Sequence, residues 1–303
     1  MRRVALTRLS AHDIMHATMN SVNRLVATLA ACGFLFAQSG KFEVRSPLGR
    51  EFRSEPDEKG AVAAAEKALA ENPHEIKLIL KLAQAHASVW EEREAVAACN
   101  RGLELDPKAV DLLIERGHRE LPLREFAKAR QDLEHAIALD PKQSEAYYHL
   151  GLAHYFTGDF SKAADAFCKG RDYVDTQDNL VNFTNWCYAA LRRAGKSEEA
   201  RAALEKVTPE MKSNAGHTEF YFNLVRFYQG RKSEAEILPP PPRGSTDTEG
   251  ELSFDTIAYQ LGNWHLYNGD TQKAKEYFER VAKGNVWVTW GFVGSEIELT
   301  RSR

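Results

Sequence analysis

The sequence predicts an all-α protein: a right-handed α-solenoid of antiparallel helix pairs. Prolines recur at Pro73, Pro107 and Pro141, each 34 residues from the next, and a period of 34 residues is typical of stacked helix-pair repeats. Each proline ends a similar phrase: ALAENP, GLELDP and AIALDP. Segments rich in Ala, Glu and Lys, with few runs of Val, Ile or Thr, favour helix as well.

Small residues keep the same register within the period. They are Ala61, Ala95, Ala129 and Ala163 at one position, and Ala83, Gly117 and Gly151 at another. The most regular copy is residues 144–177, in which Gly151 and Ala163 allow two helices to approach closely and Leu150 and Phe167 fill the contact between them. Gly158 tolerates the left-handed conformation that ends the first helix of this copy.

Two copies carry the residues of a known repeat. These residues are Tyr147, Leu150, Gly151, Gly158, Ala163 and Phe167 in one copy, and Leu261, Gly262, Gly269, Ala274 and Phe278 in the other. In these residues the chain resembles bacterial tetratricopeptide-repeat (TPR) proteins, and the resemblance covers about residues 57–299. The resemblance implies a right-handed TPR superhelix that binds other proteins.

The layout is similar, more narrowly, to NlpI-type TPR lipoproteins. The similarity lies in an interrupted unit, NLVRFYQG followed by a loop, and in the ending YQLGNWHLYNGD…AKEYFERVAKGNVWVTWGFVGSEIEL. It implies a bacterial envelope scaffold that dimerises and docks peptidoglycan hydrolases and a protease.

The pattern divides the chain into five segments. They are a signal peptide or N-terminal leader (1–37), an extended linker (38–56), a TPR solenoid (57–238), a proline-rich loop (239–250), and a last TPR unit with a C-terminal capping helix (251–303). The loop contains PPPP, which cannot continue a helix.

The N-terminal segment predicts export. Residues 25–37 read LVATLAACGFLFA, an uncharged run after Arg24 that ends in small Ala37. A basic flank, a short apolar core and a small final residue are typical of a secretory signal, and the run is too short for a comfortable membrane span. Two alternatives stay open: LAAC ending at Cys32 has the form of a lipobox, which would make an envelope lipoprotein lipidated at Cys32, or the segment is retained. The expected location is the periplasm or, for a lipoprotein, the envelope.

The four cysteines do not form a recognisable motif. No pair has CxxC spacing, which disfavours a zinc knuckle or a thioredoxin-like centre. Cys99, Cys168 and Cys187 lie on or beside packing positions of the repeat, so we expect buried, small apolar side chains. A Cys168–Cys187 disulfide in an oxidising compartment is the alternative.

Composition and motifs disfavour several functions. The chain is 43% hydrophobic and 27% charged with a net charge of −3, which does not suggest a nucleic-acid partner. It contains no GxSxG, HExxH, P-loop or GxGxxG motif. His86, His154 and His265 recur once per unit at a packing position, so we expect packing and no metal site. We therefore predict no enzyme activity and no cofactor.

The first helices of the units should line a concave groove that binds a protein partner through an extended peptide or an amphipathic helix. The predicted groove residues are Leu80, Gln84, Ile114, His118, Tyr148, Leu152, Tyr155, Phe156, Asn185 and Arg192. For Tyr155 and Phe156 the alternative is packing against the next unit.

The leading functional prediction is a non-catalytic scaffold or adaptor. One alternative is a self-assembling structural protein, such as a homodimer, with Trp287, Trp290 and Phe292 at the seam. The other is an accessory subunit of an envelope enzyme. A membrane is expected only through an N-terminal anchor.

Overall fold

The computed structural model describes residues 40–214, 218–240 and 248–301. The predicted signal peptide with Cys32, and most of the predicted proline-rich loop, lie outside the described residues. Among the helices of the described ranges, none has the length and apolar character needed to span a membrane.

Two strands come first and helices follow. The strands are β1 (Phe42–Arg45) and β2 (Glu51–Arg53). The described part of the chain then contains fourteen α-helices: α1 (Ala61–Glu71), α2 (Ile76–Ser88), α3 (Glu92–Leu105), α4 (Val110–Glu120), α5 (Phe126–Leu139), α6 (Ser144–Thr157), α7 (Phe160–Gly170), α8 (Gln177–Arg193), α9 (Ser197–Leu204), α10 (Glu219–Tyr228), α11 (Glu234–Ile237), α12 (Thr248–Tyr267), α13 (Thr271–Val281) and α14 (Trp290–Arg301). A 3-10 helix, Arg171–Tyr173, follows α7.

The helices pack as successive pairs, α2 with α3, α4 with α5, α6 with α7, α8 with α9 and α12 with α13. Each pair also packs on its neighbours in chain order from α1 to α9. This arrangement confirms the predicted all-α solenoid.

Glycines at matching positions set the closeness of these pairs. A Cβ atom on Gly151 would lie 2.6 Å from the Phe167 ring, and one on Gly262 would lie 2.5 Å from the Phe278 ring. The partner follows sixteen residues later in both pairs. The sequence argument for close approach at Gly151 and Phe167 is therefore confirmed, and the same contact recurs in the last pair.

The segment predicted as an extended linker is a β-hairpin. Strand β1 pairs antiparallel with β2, and Phe52 on β2 stacks on Trp287 with ring centroids 5.6 Å apart. Phe52 also meets the edge of Phe292 at 5.4 Å, and Arg50 donates to the carbonyl of Gly284 at 3.0 Å. Residues 42–53 are thus extended, and they pack against the C-terminal part of the chain.

The last three helices, with the residues that join them (248–301, hereafter the C-terminal unit), fold back on earlier repeats. Helix α12 packs on α8 and α10, and α14 packs on α12, α13 and α6. The predicted capping helix therefore also reaches the middle of the solenoid. The proline-rich loop is shorter than predicted, because α12 already begins at Thr248.

The aromatic residues assigned to a dimer seam are mostly internal. Trp287 is 2% exposed and Phe292 is fully buried, since both pack on Phe52 of the hairpin. Trp290 is half-buried. The seam assignment is wrong for Trp287 and Phe292.

The cysteines divide into a disulfide and a free thiol. Cys168 on α7 and Cys187 on α8 form a disulfide, so their interpretation as small apolar fillers is wrong and the alternative is correct. Cys99 is free and buried, as expected, and burial raises the pKa of its thiol to about 12.

Asp255 should make stability depend on pH. This residue of α12 is 1% exposed, and its carboxylate accepts a hydrogen bond from Thr289 Oγ1 at 2.9 Å. Burial raises the pKa of Asp255 from 3.8 to about 8, with the Thr289 hydrogen bond lowering it and Glu251 raising it. The folded state therefore holds the proton more tightly than the unfolded chain. Its stabilising contribution is complete below pH 3.8 and is lost as the pH rises to about 8.

Asn at this position keeps the shape and cannot ionise. We expect Asp255→Asn to gain stability relative to the wild type as the pH rises from 5 to 8, by up to about 1.4 kcal/mol per pH unit. Urea unfolding of both proteins at three pH values measures this difference. The other buried acids are present in both proteins, so their contributions cancel when the two unfolding free energies are subtracted. Parallel stability profiles would show that Asp255 is ionised in the fold.

Candidate functional site

The C-terminal unit covers much of the predicted groove. Five of the predicted groove residues are buried: Ile114, Leu152, Tyr155, Phe156 and Asn185. The Tyr155 hydroxyl donates to Asn263 Oδ1 of α12 at 3.0 Å, and Arg301 of α14 donates to the Phe156 carbonyl at 2.6 Å. The packing alternative therefore applies to Tyr155 and Phe156, and their assignment to an open groove is wrong.

Asn185 and Arg192 on α8 also serve internal contacts. Asn185 Oδ1 accepts from the Tyr228 hydroxyl at 3.1 Å. Arg192 donates to Asn268 Oδ1 at 2.8 Å and lies 4.4 Å from the ring centroid of Tyr267. Both residues help join α8 to later helices.

The remaining predicted residues lie in two places. Leu80 is half-buried and Gln84 is exposed, both on α2. His118 on α4 and Tyr148 on α6 are half-buried and line one cavity, which we call the open pocket. Of the ten predicted groove residues, only His118 and Tyr148 line the open pocket.

The open pocket has a volume of about 440 Å³. Its lining residues come from the end of α4, the first turns of α6 and α8, and the start of α14: His118, Ser144, Glu145, Tyr148, His149, Asn179, Asn182, Phe183 and Trp290. Since α4, α6 and α8 are first helices of their pairs, the pocket lies on the inner face of the stack.

Aromatic rings form the walls of the open pocket. The imidazoles of His118 and His149 stack with centroids 4.0 Å apart, and Trp290 lies 5.3 Å from His118. Tyr148 meets Phe183 edge-on at 5.4 Å. Such contacts hold ring positions and leave flat apolar surfaces facing the cavity.

Polar atoms lie between these rings. Nδ1 of His149 and Oδ1 of Asn182 are buried and make no hydrogen bond within the described part of the protein. Buried polar atoms in proteins usually have a partner. An imidazole nitrogen and an amide oxygen without a hydrogen-bond partner thus lie in the wall of the open pocket, near the exposed amide of Asn179.

The charged groups of the pocket favour a neutral His118. Burial lowers the pKa of His118 well below its usual value, and the neighbouring His149 and Arg119 lower it further. Arg119 Nη2 donates to His118 Nδ1 at 2.7 Å. Glu145 Oε1 lies 3.6 Å from His149 Nε2, and the hydrogen bond to His149 lowers the pKa of Glu145.

Two family models, both described as tetratricopeptide repeat, match residues 114–171 and 257–283. The matched ranges span the α4–α7 repeats and the α12–α13 pair. The chain contains tetratricopeptide repeats. Five of the nine residues that line the open pocket, from His118 to His149, lie in the first matched range.

The solved structures similar to this TPR protein include two that are described as tetratricopeptide-repeat proteins. A tetratricopeptide repeat protein from Parabacteroides merdae ATCC 43184 is 17% identical, with a TM-score of 0.48, over 80% of this chain and 92% of that one. YrrB, described as a TPR protein with an unusual peptide-binding site, is 16% identical with a TM-score of 0.45, over 74% and 93%. MamA is 24% identical with a TM-score of 0.44, over 49% and 85%.

No curated protein matches this TPR protein. The likenesses to solved structures carry no argument about function at these scores. The narrower similarity to NlpI-type lipoproteins stays a prediction.

Sequence reasoning missed one cluster in this TPR protein. His118, Glu145 and His149 each offer a ligand atom, and these atoms all lie within 4.8 Å of one another. His118 and His149 lie in neighbouring first helices, and their rings stack on each other. Glu145 precedes His149 by one helical turn, a spacing that places both on one face of α6. This spacing was the available signal.

Proposed function

We propose that this TPR protein is a non-catalytic scaffold that binds a protein partner through an extended peptide segment held in the open pocket. The observation that carries the proposal is the position of that pocket. It is the part of the inner face around α6 and α8 that the C-terminal unit leaves accessible, and it combines aromatic walls with amides. TPR units typically serve as protein-binding scaffolds, and inner-face pockets of repeat stacks are suited to such binding.

The chemistry of the pocket fits a peptide backbone. A side-chain amide carries both a donor and an acceptor, so Asn179 and Asn182 can each pair with a peptide group. Tyr148, Phe183 and Trp290 offer apolar surface to an alternate side chain of the same segment. An extended strand presents both kinds of group in alternation.

The size of the pocket favours an extended peptide over an amphipathic helix. A helix with its side chains is about 10–12 Å wide and binds through several turns. The C-terminal unit interrupts the inner face, because Tyr155 and Phe156, about two turns beyond the pocket, are buried beneath it. The 440 Å³ cavity suits a few extended residues.

A peptide-display selection tests the proposal. Random linear peptides are selected on the full chain, and the enriched peptides are measured against Asn182→Ala and against Gln131→Ala, a matched exposed amide on α5. We expect Asn182→Ala to weaken binding roughly 10-fold, about 1.4 kcal/mol, through the lost amide hydrogen bonds. Gln131→Ala should bind as the wild type does, and circular dichroism should show both variants folded.

Two results would contradict the proposal. One is a selection that enriches no peptide. The other is a set of peptides whose affinity is the same for the wild type and Asn182→Ala, since such peptides bind elsewhere.

We propose further that the protein is exported to the periplasm or, if Cys32 is lipidated, to the envelope. The support is the uncharged run at residues 25–37 and the Cys168–Cys187 disulfide, because disulfides persist mainly in oxidising compartments. Mass spectrometry of the mature N-terminus in the native cell tests this. A chain that begins after Ala37, or at a lipidated Cys32, supports export, and a chain that retains Met1 contradicts it.

A further inference from the structure

We propose that His118, Glu145 and His149 bind a divalent transition-metal ion of the zinc class at the base of the open pocket. The proposal does not depend on peptide binding, since the three ligands belong to the chain itself. It differs from the expectation from sequence that the chain has no metal site.

The three side chains converge from two neighbouring helices. His118 lies near the end of α4, and Glu145 and His149 lie one turn apart on α6. Their ligand atoms lie within 4.8 Å of one another, and His149 Nε2 is 3.6 Å from Glu145 Oε1. Zinc bonds of about 2.0–2.2 Å in a tetrahedron place two ligand atoms roughly 3.3–3.6 Å apart. The Glu145–His149 pair is already at that separation.

Two of the three side chains have room to move their ligand atoms closer together around an ion. His149 is 3% exposed and fixed by packing, whereas the side chain of Glu145 is 64% exposed and free to rotate toward an ion. Because the two imidazoles are stacked, one ring must also turn so that both nitrogens point at one tetrahedral ion. His118 is half-buried at the pocket wall, so it is the ring with room to move.

The ligand set has the chemistry that such ions prefer. Neutral imidazole with carboxylate suits Zn²⁺ and its neighbours in the first transition series, and disfavours Mg²⁺ and Ca²⁺, which take oxygen ligands. His149 contributes a nearly buried imidazole whose Nδ1 makes no hydrogen bond in the described part of the protein.

Arg119 is the group that competes with the ion. It donates to His118 Nδ1, so Nδ1 carries a lone pair and Nε2 carries the proton. An ion on Nδ1 displaces Arg119 directly. An ion on Nε2 requires His118 to carry its proton on Nδ1 instead. The N–H group of Nδ1 and the N–H group of Arg119 then face each other, and neither can accept. In both cases Arg119 leaves His118, and it keeps its ion pair with Glu115 at 2.8 Å.

Three protein ligands leave one tetrahedral position. The three ligands line the 440 Å³ cavity, where water or a donor group of a bound molecule would complete the shell. Zinc sites with three protein ligands and one open position are the kind that bind a further molecule.

Titration calorimetry with Zn²⁺ on the full chain, freed of any affinity tag and treated with a chelator, tests the site. We expect one ion per chain, with Glu145→Gln and His118→Gln each weakening the affinity by at least about 10-fold. Glu134→Gln and His135→Gln are matched controls, since both residues are exposed on α5, and should leave the affinity unchanged.

Co²⁺ gives a second measurement that does not depend on stability. Its visible absorption should indicate a four-coordinate site with imidazole nitrogen in the wild type and should be lost in His118→Gln, while circular dichroism shows that variant to be folded. The absence of stoichiometric Zn²⁺ binding would overturn the proposal. Equal affinity in the wild type, Glu145→Gln and His118→Gln would overturn it as well.

Discussion

Arg124→Met should lower the free energy of unfolding by about 3–5 kcal/mol, because it leaves a buried carboxylate without its cation. Arg124 lies in the turn between α4 and α5, and its Nη2 donates to Glu296 Oε2 at 2.7 Å. The Glu296 side chain is fully buried. The guanidinium also lies 5.8 Å from the Phe52 ring and 5.9 Å from the Trp287 ring. One side chain thus joins the solenoid, the hairpin and α14.

Urea unfolding measures the effect, and two further variants isolate its cause. Arg201→Met breaks an exposed ion pair with Glu198 and should change stability by less than about 1 kcal/mol. The double variant Arg124→Met with Glu296→Gln removes the uncompensated charge and should recover part of the loss. A loss for Arg124→Met as small as that for Arg201→Met would contradict the described position of α14.

Gly291→Ala should destabilise the C-terminal unit by roughly 1–3 kcal/mol or more through overpacking. Gly291 is in the first turn of α14, where an added Cβ would lie 2.3 Å from the carbonyl oxygen of Asp255 on α12. Backbone cannot rotate aside as a flexible side chain can. In an unconstrained helix the same change stabilises by about 0.5–1 kcal/mol, so the sign alone reports the close contact of α12 and α14.

Thermal unfolding of Gly291→Ala, beside Thr300→Ala, gives the comparison. Thr300 is exposed on the same helix, and its replacement should stay within about 0.5 kcal/mol of the wild type. An increase in stability for Gly291→Ala would mean that α12 and α14 are farther apart than described.

The repeat could be predicted from sequence because its determinants are local and periodic. Pro73, Pro107 and Pro141 mark the period, because one proline recurs in each 34-residue unit. Gly151 and Phe167 belong to one helix pair, so that contact lies within a single unit. The hairpin could not be predicted. Its strands are short, and Phe52 is held by Trp287 and Phe292, which lie more than two hundred residues away.

The same limit explains the errors in the groove. The repeat pattern assigns Tyr155 and Asn185 to the inner face, and they are on it. Their burial depends on α12 and α14, whose return to the inner face is set by pairs such as Arg193 with Glu298 at 3.1 Å. Such pairs join residues about a hundred positions apart, and no periodic pattern encodes them. The contact between His118 and His149 has a related cause. The two residues occupy different positions of the repeat, and the packing of neighbouring units brings them together.

Buried polar contacts hold the C-terminal unit on the solenoid. Arg193 reaches Asn263 Oδ1 at 2.8 Å as well as Glu298, and the Tyr155 hydroxyl shares the same amide oxygen. Contacts of this kind depend strongly on geometry, so they fix where α12 and α14 lie. The location of the open pocket is a consequence of that position.

The most direct test of the scaffold proposal is photo-crosslinking from the open pocket. p-Benzoylphenylalanine replaces Asn179 in one protein and Glu134, exposed on α5, in another, and each is irradiated with a peptide from the display selection. The account predicts that the peptide becomes attached through position 179 and not through position 134, with unlabelled peptide suppressing the product. Attachment at position 134 without attachment at position 179 would place the peptide outside the open pocket and contradict the account.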